Sequence, residues 1–292
     1  MKTLINYDNP QDIKAFLEMK GFGMQKKFGQ NFLINRGIRE KQVAALDLKP
    51  GLRVWEIGPG LGAVTELILK SGAELTVFEI DKGFASCLRD FFSEYRNFTV
   101  VEGDALKTVK SCFLDAEKCG KLPDRLFGNL PYNIASDFIA RLTENGIVFE
   151  KAVLTVQKEV ARRMTAQPGT KDYSYFSVLC QWAYDIKTLC DLGPGFFWPR
   201  PHVDSRTVVL DKKALFPETG EFKLALSLAK TIFLNRRKTI KNNILSLARS
   251  GENSDSLVSG FLAEIGLNEN IRGENLSYKE IINLAEKLSE KI

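Results

Sequence analysis

The chain has 292 residues, 44% of them hydrophobic and 26% charged, with 22 Gly and 10 Pro. At about 150 residues per domain this length predicts two domains, and the composition excludes collagen, coiled coil and wholesale disorder. Lys and Arg number 41 against 36 Asp and Glu, a net charge of +5; so mild an excess says little by itself about nucleic acid.

From Gly51 to about Val156, short β-branched runs alternate with helical patterns. Arg53–Ile57 reads as a buried strand and Gly62–Ser71 as a helix. Glu74–Ile80 is a second strand, followed by a helix over Lys82–Phe92, and Asn97–Glu102 is a third strand. Arg125–Leu130 is a fourth, followed by a helix over Ile134–Asn145, and Lys151–Gln157 is a fifth. Such βαβ alternation predicts an α/β fold, an open, doubly wound, mostly parallel Rossmann-like sheet with ligands at the carboxyl ends of its strands. Asp185–Leu192 and Thr207–Leu210 read as closing strands, joined by a rigid stretch holding Gly193, Pro194, Gly195, Pro199 and Pro201. Beyond Glu218 only helical patterns remain, over Phe222–Leu234, Arg237–Arg249, Ser254–Glu264 and Ser277–Glu290. The expected division is a domain of residues 1–211 and a smaller all-helical domain of residues 212–292. The Lys110–Lys121 connection is longer than the fold requires and receives no role.

The five cysteines, Cys87, Cys112, Cys119, Cys180 and Cys190, contain no C-x-x-C pair. A disulfide framework and a structural zinc site are therefore not expected. His202 is the single histidine, so a histidine base has one candidate and a histidine metal site has none. The longest uncharged apolar runs, such as Ala152–Val156, fall far short of the roughly 18 residues of a membrane span. Asp8, Asp12 and Glu18 near the N-terminus fit no signal or transit peptide. A cytoplasmic, membrane-free protein without a metal is the expectation, and nothing demands more than a monomer.

The sharpest local signal is Glu56-Ile57-Gly58-Pro59-Gly60-Leu61-Gly62, between the first strand and its helix. Its glycines permit a tight turn and close approach of a ligand to the backbone. Gly58, Gly60 and Ala63 also satisfy the loose dinucleotide pattern, with Glu79 where a ribose-binding acid belongs. Two further acids separate the ligands. Glu56 ends the first strand, where its charge would oppose a pyrophosphate, and Asp104 follows the third. Glu79 can accept both ribose hydroxyls, and Asp104 can accept from an adenine amino group. S-adenosyl-L-methionine, an adenosine with a sulfonium cation and no phosphate, suits these three strand ends better than NAD.

Asn129-Leu130-Pro131-Tyr132 ends the fourth strand. The exocyclic amine of adenine is a poor nucleophile because its lone pair is delocalised into the ring. Acceptors at the Asn129 side-chain oxygen and the Leu130 carbonyl would favour a pyramidal nitrogen. Pro131 fixes the turn, and Tyr132 offers a ring for stacking an extruded base. In-line positioning would supply the rate, and no strong base is needed if the proton leaves after transfer.

With these residues in view, the chain resembles the small-subunit ribosomal RNA adenine N6,N6-dimethyltransferases of the KsgA/RsmA type, a class I methyltransferase family. The matching pieces run in order over nearly the whole length. They are Lys27–Leu33 (KFGQNFL), Glu56–Gly62, Glu79, Gly103-Asp104, Asn129–Tyr132, Gln157–Val160, Phe197–Ser205 (the pattern F-x-P-x-P-x-V-x-S) and Phe233–Thr239. The resemblance implies that Asn31 and Leu33 close over the cofactor and that Gly58, Glu79, Asp104 and Asn129 line its site. It places Asn129, Leu130 and Tyr132 at the target adenine, with Phe197 as a second aromatic neighbour. The implied product is N6,N6-dimethyladenosine at two adjacent positions in the terminal hairpin loop of small-subunit rRNA. Trp55 stands where the family usually has Leu, a departure read as packing.

Basic residues cluster on either side of the sheet segment along the chain. Lys20, Lys26, Lys27, Arg36, Arg39 and Lys41 precede it; Lys230, Arg236, Arg237, Lys238 and Lys241 follow it. With an RNA substrate implied, these are candidate phosphate contacts, chiefly Lys26, Lys27 and the Arg236–Lys238 run, which is read as helical. The partner is then the small ribosomal subunit and its rRNA. Competing readings are a large-subunit rRNA adenine methylase of the resistance type, a non-catalytic nucleic-acid-binding factor on the same fold, and an NAD oxidoreductase. The last lacks a hydride-transfer acid or base beyond His202.

Overall fold

The structure is a computed structural model that describes residues 5–22, 30–214, 219–247 and 254–290. Lys26 and Lys27 lie outside the described residues. Three short elements lead into the sheet: helix α1 (Pro10–Met19), strand β1 (Phe32–Leu33) and helix α2 (Arg36–Ala44). Asn9 and Asn35 start the two helices by accepting from the backbone N–H of Gln11 and Ile38, which satisfies otherwise orphaned first-turn donors.

The alternating segment forms β2 (Arg53–Ile57), α3 (Thr65–Lys70), β3 (Glu74–Glu79), α4 (Lys82–Phe91), β4 (Phe98–Glu102), α5 (Ala105–Lys118), β5 (Arg125–Asn129), α6 (Ala135–Glu144), β6 (Lys151–Gln157) and α7 (Lys158–Met164). Helix α8 (Tyr175–Ala183) leads into β7 (Tyr184–Leu192); β8 (Phe197–Trp198) and β9 (Ser205–Lys212) follow. The seven-stranded sheet has the order β4-β3-β2-β5-β6-β9-β7. Strands β2 to β6 pair in parallel, and β9 pairs antiparallel with β6 from Gln157↔Ser205 to Lys151↔Asp211. The expected doubly wound sheet is therefore present, with one reversed strand inserted next to β6.

Both faces of the sheet are covered because successive strand residues point to opposite sides. Val54 joins Leu75, Val77, Phe127 and Val153 in a cluster with Ile68 and Leu69 of α3. Its neighbour Trp55 faces the other way and meets Phe78, Phe149 and, edge-on at 6.3 Å, Phe113 of α5. This contact gives the Lys110–Lys121 connection a role. It is largely helix, part of α5, and it lays an aromatic ring on Trp55.

A separate two-stranded ribbon joins β1 to β8, with Phe32 opposite Trp198 and Leu33 opposite Phe197. The Phe32 and Trp198 rings stack at 6.2 Å. Two distant motifs of the sequence are thus one structural piece.

The chain divides into two compact units: residues 1–161 with 185–212, and residues 162–184 with 213–292. This differs from a single cut after residue 211, because residues 162–184, which include α8, cluster with the C-terminal helices. Those helices are α9 (Thr219–Leu234), α10 (Ile240–Leu247), α11 (Ser254–Glu264) and α12 (Tyr278–Ser289). The second unit has its own apolar core, in which Leu228 and Ile232 of α9 pack with Ile240, Leu262, Ile281, Leu284, Val178 and Trp182. The buried Tyr173 hydroxyl donates to the Leu276 carbonyl at 2.9 Å, pinning the 162–184 segment to the start of α12. A side chain at Gly273 would strike Ile232 at 2.3 Å, so only glycine admits this close approach. Among the described residues no helix is long and apolar enough to cross a membrane.

Trp55 is 6% exposed, and Trp55→Ala is expected to lower the unfolding free energy by about 3–5 kcal/mol in urea titrations. Phe113→Ala should cost less, and the double variant less than the sum, because the two rings share one contact.

Candidate active site

The strand order reverses between β2 and β5. The chain leaves β2 toward β3 and β4 on one side, while β5 and β6 lie on the other. Parallel neighbours whose connections diverge open a crevice at their carboxyl ends. The loop after β2 is Gly58–Gly62, and the corner after β5 is Asn129–Tyr132, so both motifs arrive at this one place. A Cβ on Gly58 would stand 3.9 Å from Pro131 Cδ. Gly58 and Gly60 hold φ values of +65° and +58°, a left-handed conformation that glycine adopts without strain. On the other side of the loop, a Cβ at Gly60 would come within 3.2 Å of the Phe32 ring. The β1–β8 ribbon therefore walls the crevice opposite the Asn129 corner.

One cleft results. Its lining includes Asn31, Leu33, Glu56, Gly58, Gly60, Glu79, Asp104 and Asn129, all eight residues expected at the cofactor. The sites on the four strand ends are built differently. Glu79, 4% exposed, accepts from the Gly60 N–H at 3.1 Å and the Asp81 N–H at 2.9 Å, which ties β3 to the glycine loop. Asp104 caps α5 by accepting from the Leu106 N–H at 3.0 Å. Glu56, 2% exposed, accepts from the Thr65 hydroxyl at 2.7 Å. Asn129 Oδ1 faces the Gln42 side-chain amide at 3.5 Å.

Burial pushes the Glu56 carboxyl up to about 8; the Thr65 hydroxyl opposes the shift and the nearby Glu79 adds to it. Burial likewise pushes Glu79 up to about 7, against the backbone N–H groups of Asp81 and Gly60. The standing negative charge expected of Glu56 and Glu79 is corrected accordingly. Near neutrality Glu56 keeps its proton, because desolvation of its carboxylate outweighs one hydroxyl donor. A cation placed beside these groups lowers both values and draws their protons off.

The four residues expected at the target base are not equivalent. Leu130 is 2% exposed and Phe197 3% exposed. Phe197, expected as a second aromatic neighbour of the base, packs with Leu33 and Leu192, so it supports the ribbon. Tyr132 is half-buried, and its hydroxyl bonds to Ser205 Oγ at 2.5 Å.

Sequence reasoning missed several cleft residues. Tyr7 donates to the Leu61 carbonyl at 2.8 Å, and Arg39 donates to the Leu33 carbonyl and to Asp8, each at 2.8 Å. Arg39 is 4% exposed, so it is an internal tie and not the surface phosphate contact expected from its basic cluster. Gln42 is fully buried behind Asn129. The i, i+3 spacing of Arg39 and Gln42 on α2 is the signal that could have shown a polar face turned inward.

In the second unit, Arg236, Arg237 and Lys238 lie in the turn between α9 and α10, not in a helix. Arg236 pairs with Glu274 at 2.7 Å, and Lys241 pairs with Asp255 at 2.6 Å. Arg237 and Lys238 are exposed. Among the described residues no group of three or more His, Cys, Asp or Glu is placed to hold a metal.

The raised carboxyls carry a pH signature. From the ordinary value of 4.5 upward, the folded chain holds protons that the unfolded chain has released, so stability is lost as pH rises through about 7 to 8. The urea midpoint of the ligand-free protein is expected to fall between about pH 5 and pH 8.5, and Glu56→Gln should flatten that fall.

A family model described as Ribosomal RNA adenine dimethylase matches residues 21–290. The chain is 46% identical over 283 residues to the Ribosomal RNA small subunit methyltransferase A of Treponema denticola, covering 96% of this chain and 95% of that one. To the protein of the same name from Treponema pallidum (strain Nichols) it is 42% identical, with 97% of each chain covered. Among solved structures, a dimethyladenosine transferase from Plasmodium falciparum is similar with a TM-score of 0.73 at 27% identity, covering 88% of this chain and 97% of that one. The 23S rRNA methyltransferase ErmE is similar in fold, with a TM-score of 0.62 at 23% identity, covering 88% of this chain and 99% of that one. With the family model matched through both units, over residues 21–290, the chain belongs to the ribosomal RNA adenine dimethylase family.

Proposed function

We propose that this protein transfers methyl groups from S-adenosyl-L-methionine to N6 of two adjacent adenosines in the loop of the 3'-terminal hairpin of small-subunit (16S) rRNA. The product is N6,N6-dimethyladenosine, made in the cytoplasm during ribosome biogenesis. The observation that carries this reading is the convergence of the Glu56–Gly62 loop and the Asn129–Tyr132 corner at one strand-order reversal, with Gly58 and Pro131 in contact range.

The residues present fit the cofactor. Gly58 and Gly60 leave the loop backbone bare, Glu79 and Asp104 offer carboxylate acceptors to hydroxyl and amino donors, and Asn31 and Leu33 close the opposite wall. S-adenosyl-L-methionine, when bound, supplies a methyl group carried on a sulfonium. The work of the chain is to hold the acceptor. Asn129 Oδ1 and the Leu130 carbonyl accept the two amine hydrogens of adenine and draw its nitrogen toward a pyramidal, nucleophilic shape. Tyr132 stacks the base, a contact worth about 1–3 kcal/mol. Placement then supplies the rate, and the proton passes to solvent after transfer. A second transfer requires that the spent donor be exchanged for a fresh one and that the corner admit the monomethylated amine, whose one remaining hydrogen can meet only one of the two acceptors.

RNA grip falls to Arg237 and Lys238, which are exposed in the α9–α10 turn, with Lys26 and Lys27 on the N-terminal side and Arg236 shared with Glu274. Phosphate contacts fix the position of a structured RNA, while the extruded base supplies specificity. The protein acts as a monomer.

The direct test is incubation of undermethylated small subunits with isotope-labelled S-adenosyl-L-methionine and analysis of the nucleosides. Labelled dimethyladenosine in small-subunit rRNA is the expected product; label confined to large-subunit particles would replace the substrate. Asn129→Ala should lower kcat about 100-fold with RNA affinity retained. Glu79→Ala should chiefly weaken cofactor affinity by calorimetry. Replacing Arg237 and Lys238 with Ala should weaken particle binding and reduce its salt slope by about 0.7–0.9 per lost contact.

A further inference from the structure

Strand β9 is the one antiparallel strand paired with β6, and it takes no part in the parallel half of the sheet that forms the cleft. Ser205 and Thr207 stand two residues apart on it and so point to the same side. Both are fully buried. Ser205 Oγ meets the Tyr132 hydroxyl at 2.5 Å. Thr207 Oγ1 meets Thr155 Oγ1 at 2.9 Å and accepts from Gln42 Nε2 at 2.9 Å. Gln42 Nε2 also donates to Thr155 at 2.8 Å and reaches Asn129 Oδ1 at 3.5 Å. The two side chains that handle the target base are each held from behind by a hydroxyl of one strand, directly for Tyr132 and through Gln42 for Asn129.

Packing alone does not account for these residue types. Gln42 keeps its Oε1 buried without a donor, a cost that an apolar side chain of similar size would avoid. Buried polar groups that break the rule of an apolar interior gather where function needs a fixed geometry. Asn129 gains such a fixed geometry. The two amide hydrogens of Gln42 go first to Thr155 and Thr207, which fixes its amide 3.5 Å behind Asn129 Oδ1; that polar backing orients the Asn129 oxygen and leaves its lone pairs for an amine in the cleft. The bond of the Tyr132 hydroxyl to a buried serine opposes a swing of the ring away from the corner by about 1 kcal/mol.

We infer that the Ser205–Thr207 face of β9, together with Gln42, positions Tyr132 and Asn129 for methyl transfer, an inference that rests on the function proposed above. These are positioning residues: they touch the residues that hold the base and not the base itself. The F-x-P-x-P-x-V-x-S segment then has a job at each end. Phe197 carries the ribbon that walls the cleft, and Ser205 anchors the tyrosine of the other motif.

The test pairs steady-state methyl transfer with a measurement that needs no substrate. Ser205→Ala and Thr207→Val are each expected to lower kcat about 10-fold while KM for S-adenosyl-L-methionine stays within about twofold, and Thr207→Ser should restore most of the loss. Ser205→Ala combined with Tyr132→Phe should be no slower than the slower single variant, since both remove one bond. In the free protein, the side-chain amide resonances of Asn129 and Gln42 should move in Thr207→Val and return in Thr207→Ser. Should Thr207→Val fail to fold, Gln42→Met interrogates the same arm. Unchanged kcat in both hydroxyl variants, additive losses in the double variant, or unmoved amide resonances would overturn the inference. Wild-type protein that methylates no RNA would instead overturn the proposed function, and the amide resonances would then decide whether β9 holds the corner.

Discussion

The structure depends on one topological constraint, the reversal of strand order between β2 and β5. Two parallel strands that send their connections in opposite directions cannot cover the gap between their own carboxyl ends. The chain fills this gap with the backbone of a glycine loop on one side and a prolyl corner on the other. Everything placed on those two connections is held by a sheet buried on both faces, so its position is set by strand register and not by loop flexibility. The glycines matter here as shape. At +65° and +58°, Gly58 and Gly60 turn the chain sharply enough to bring Glu79 of β3 within hydrogen-bonding distance of the Gly60 N–H.

That same burial sets the electrostatics. Carboxyl groups on strand ends inside a covered sheet are short of water, and Glu56 and Glu79 both hold protons well above the ordinary carboxylate range. A site of this kind is not a standing negative charge waiting for a cation. It is a pair of desolvated acids whose ionised forms are stabilised when donors and positive charge arrive together. The folded protein therefore bears a cost at higher pH, where both acids must ionise in a site short of water.

The segments outside the parallel half complete the site. The β1–β8 ribbon brings an N-terminal motif and a proline-rich motif together, stacking Phe32 on Trp198 and setting Leu33 and Phe197 opposite one another. Strand β9 contributes hydroxyls behind the Asn129–Tyr132 corner, and α2 contributes Arg39 and Gln42 from within. Part of the cleft is therefore made by residues distant in sequence from the glycine loop, Tyr7, Phe32, Leu33 and Arg39 among them.

The sequence by itself determined the parallel strands, their ligand edge and the cleft positions of Glu56, Gly58, Gly60, Glu79, Asp104 and Asn129, because these follow from local period, glycine placement and position at strand ends; Asn31 and Leu33 came from the family resemblance alone. Helix α5 was not read from the sequence: Asp104 as its cap and the spacing of Ala105, Val109 and Phe113 are local signals, but its charged surface obscured them. Tertiary structure alone decided the rest. The burial of Arg39 and Gln42, the turn that holds Arg236–Lys238, the inward packing of Phe197 and the grouping of residues 162–184 with the C-terminal helices all depend on which surface meets which. The protonation of Glu56 belongs with them. A side chain's charge and exposure are set by neighbours that folding brings from tens of residues away, and no local pattern in the chain encodes their desolvation.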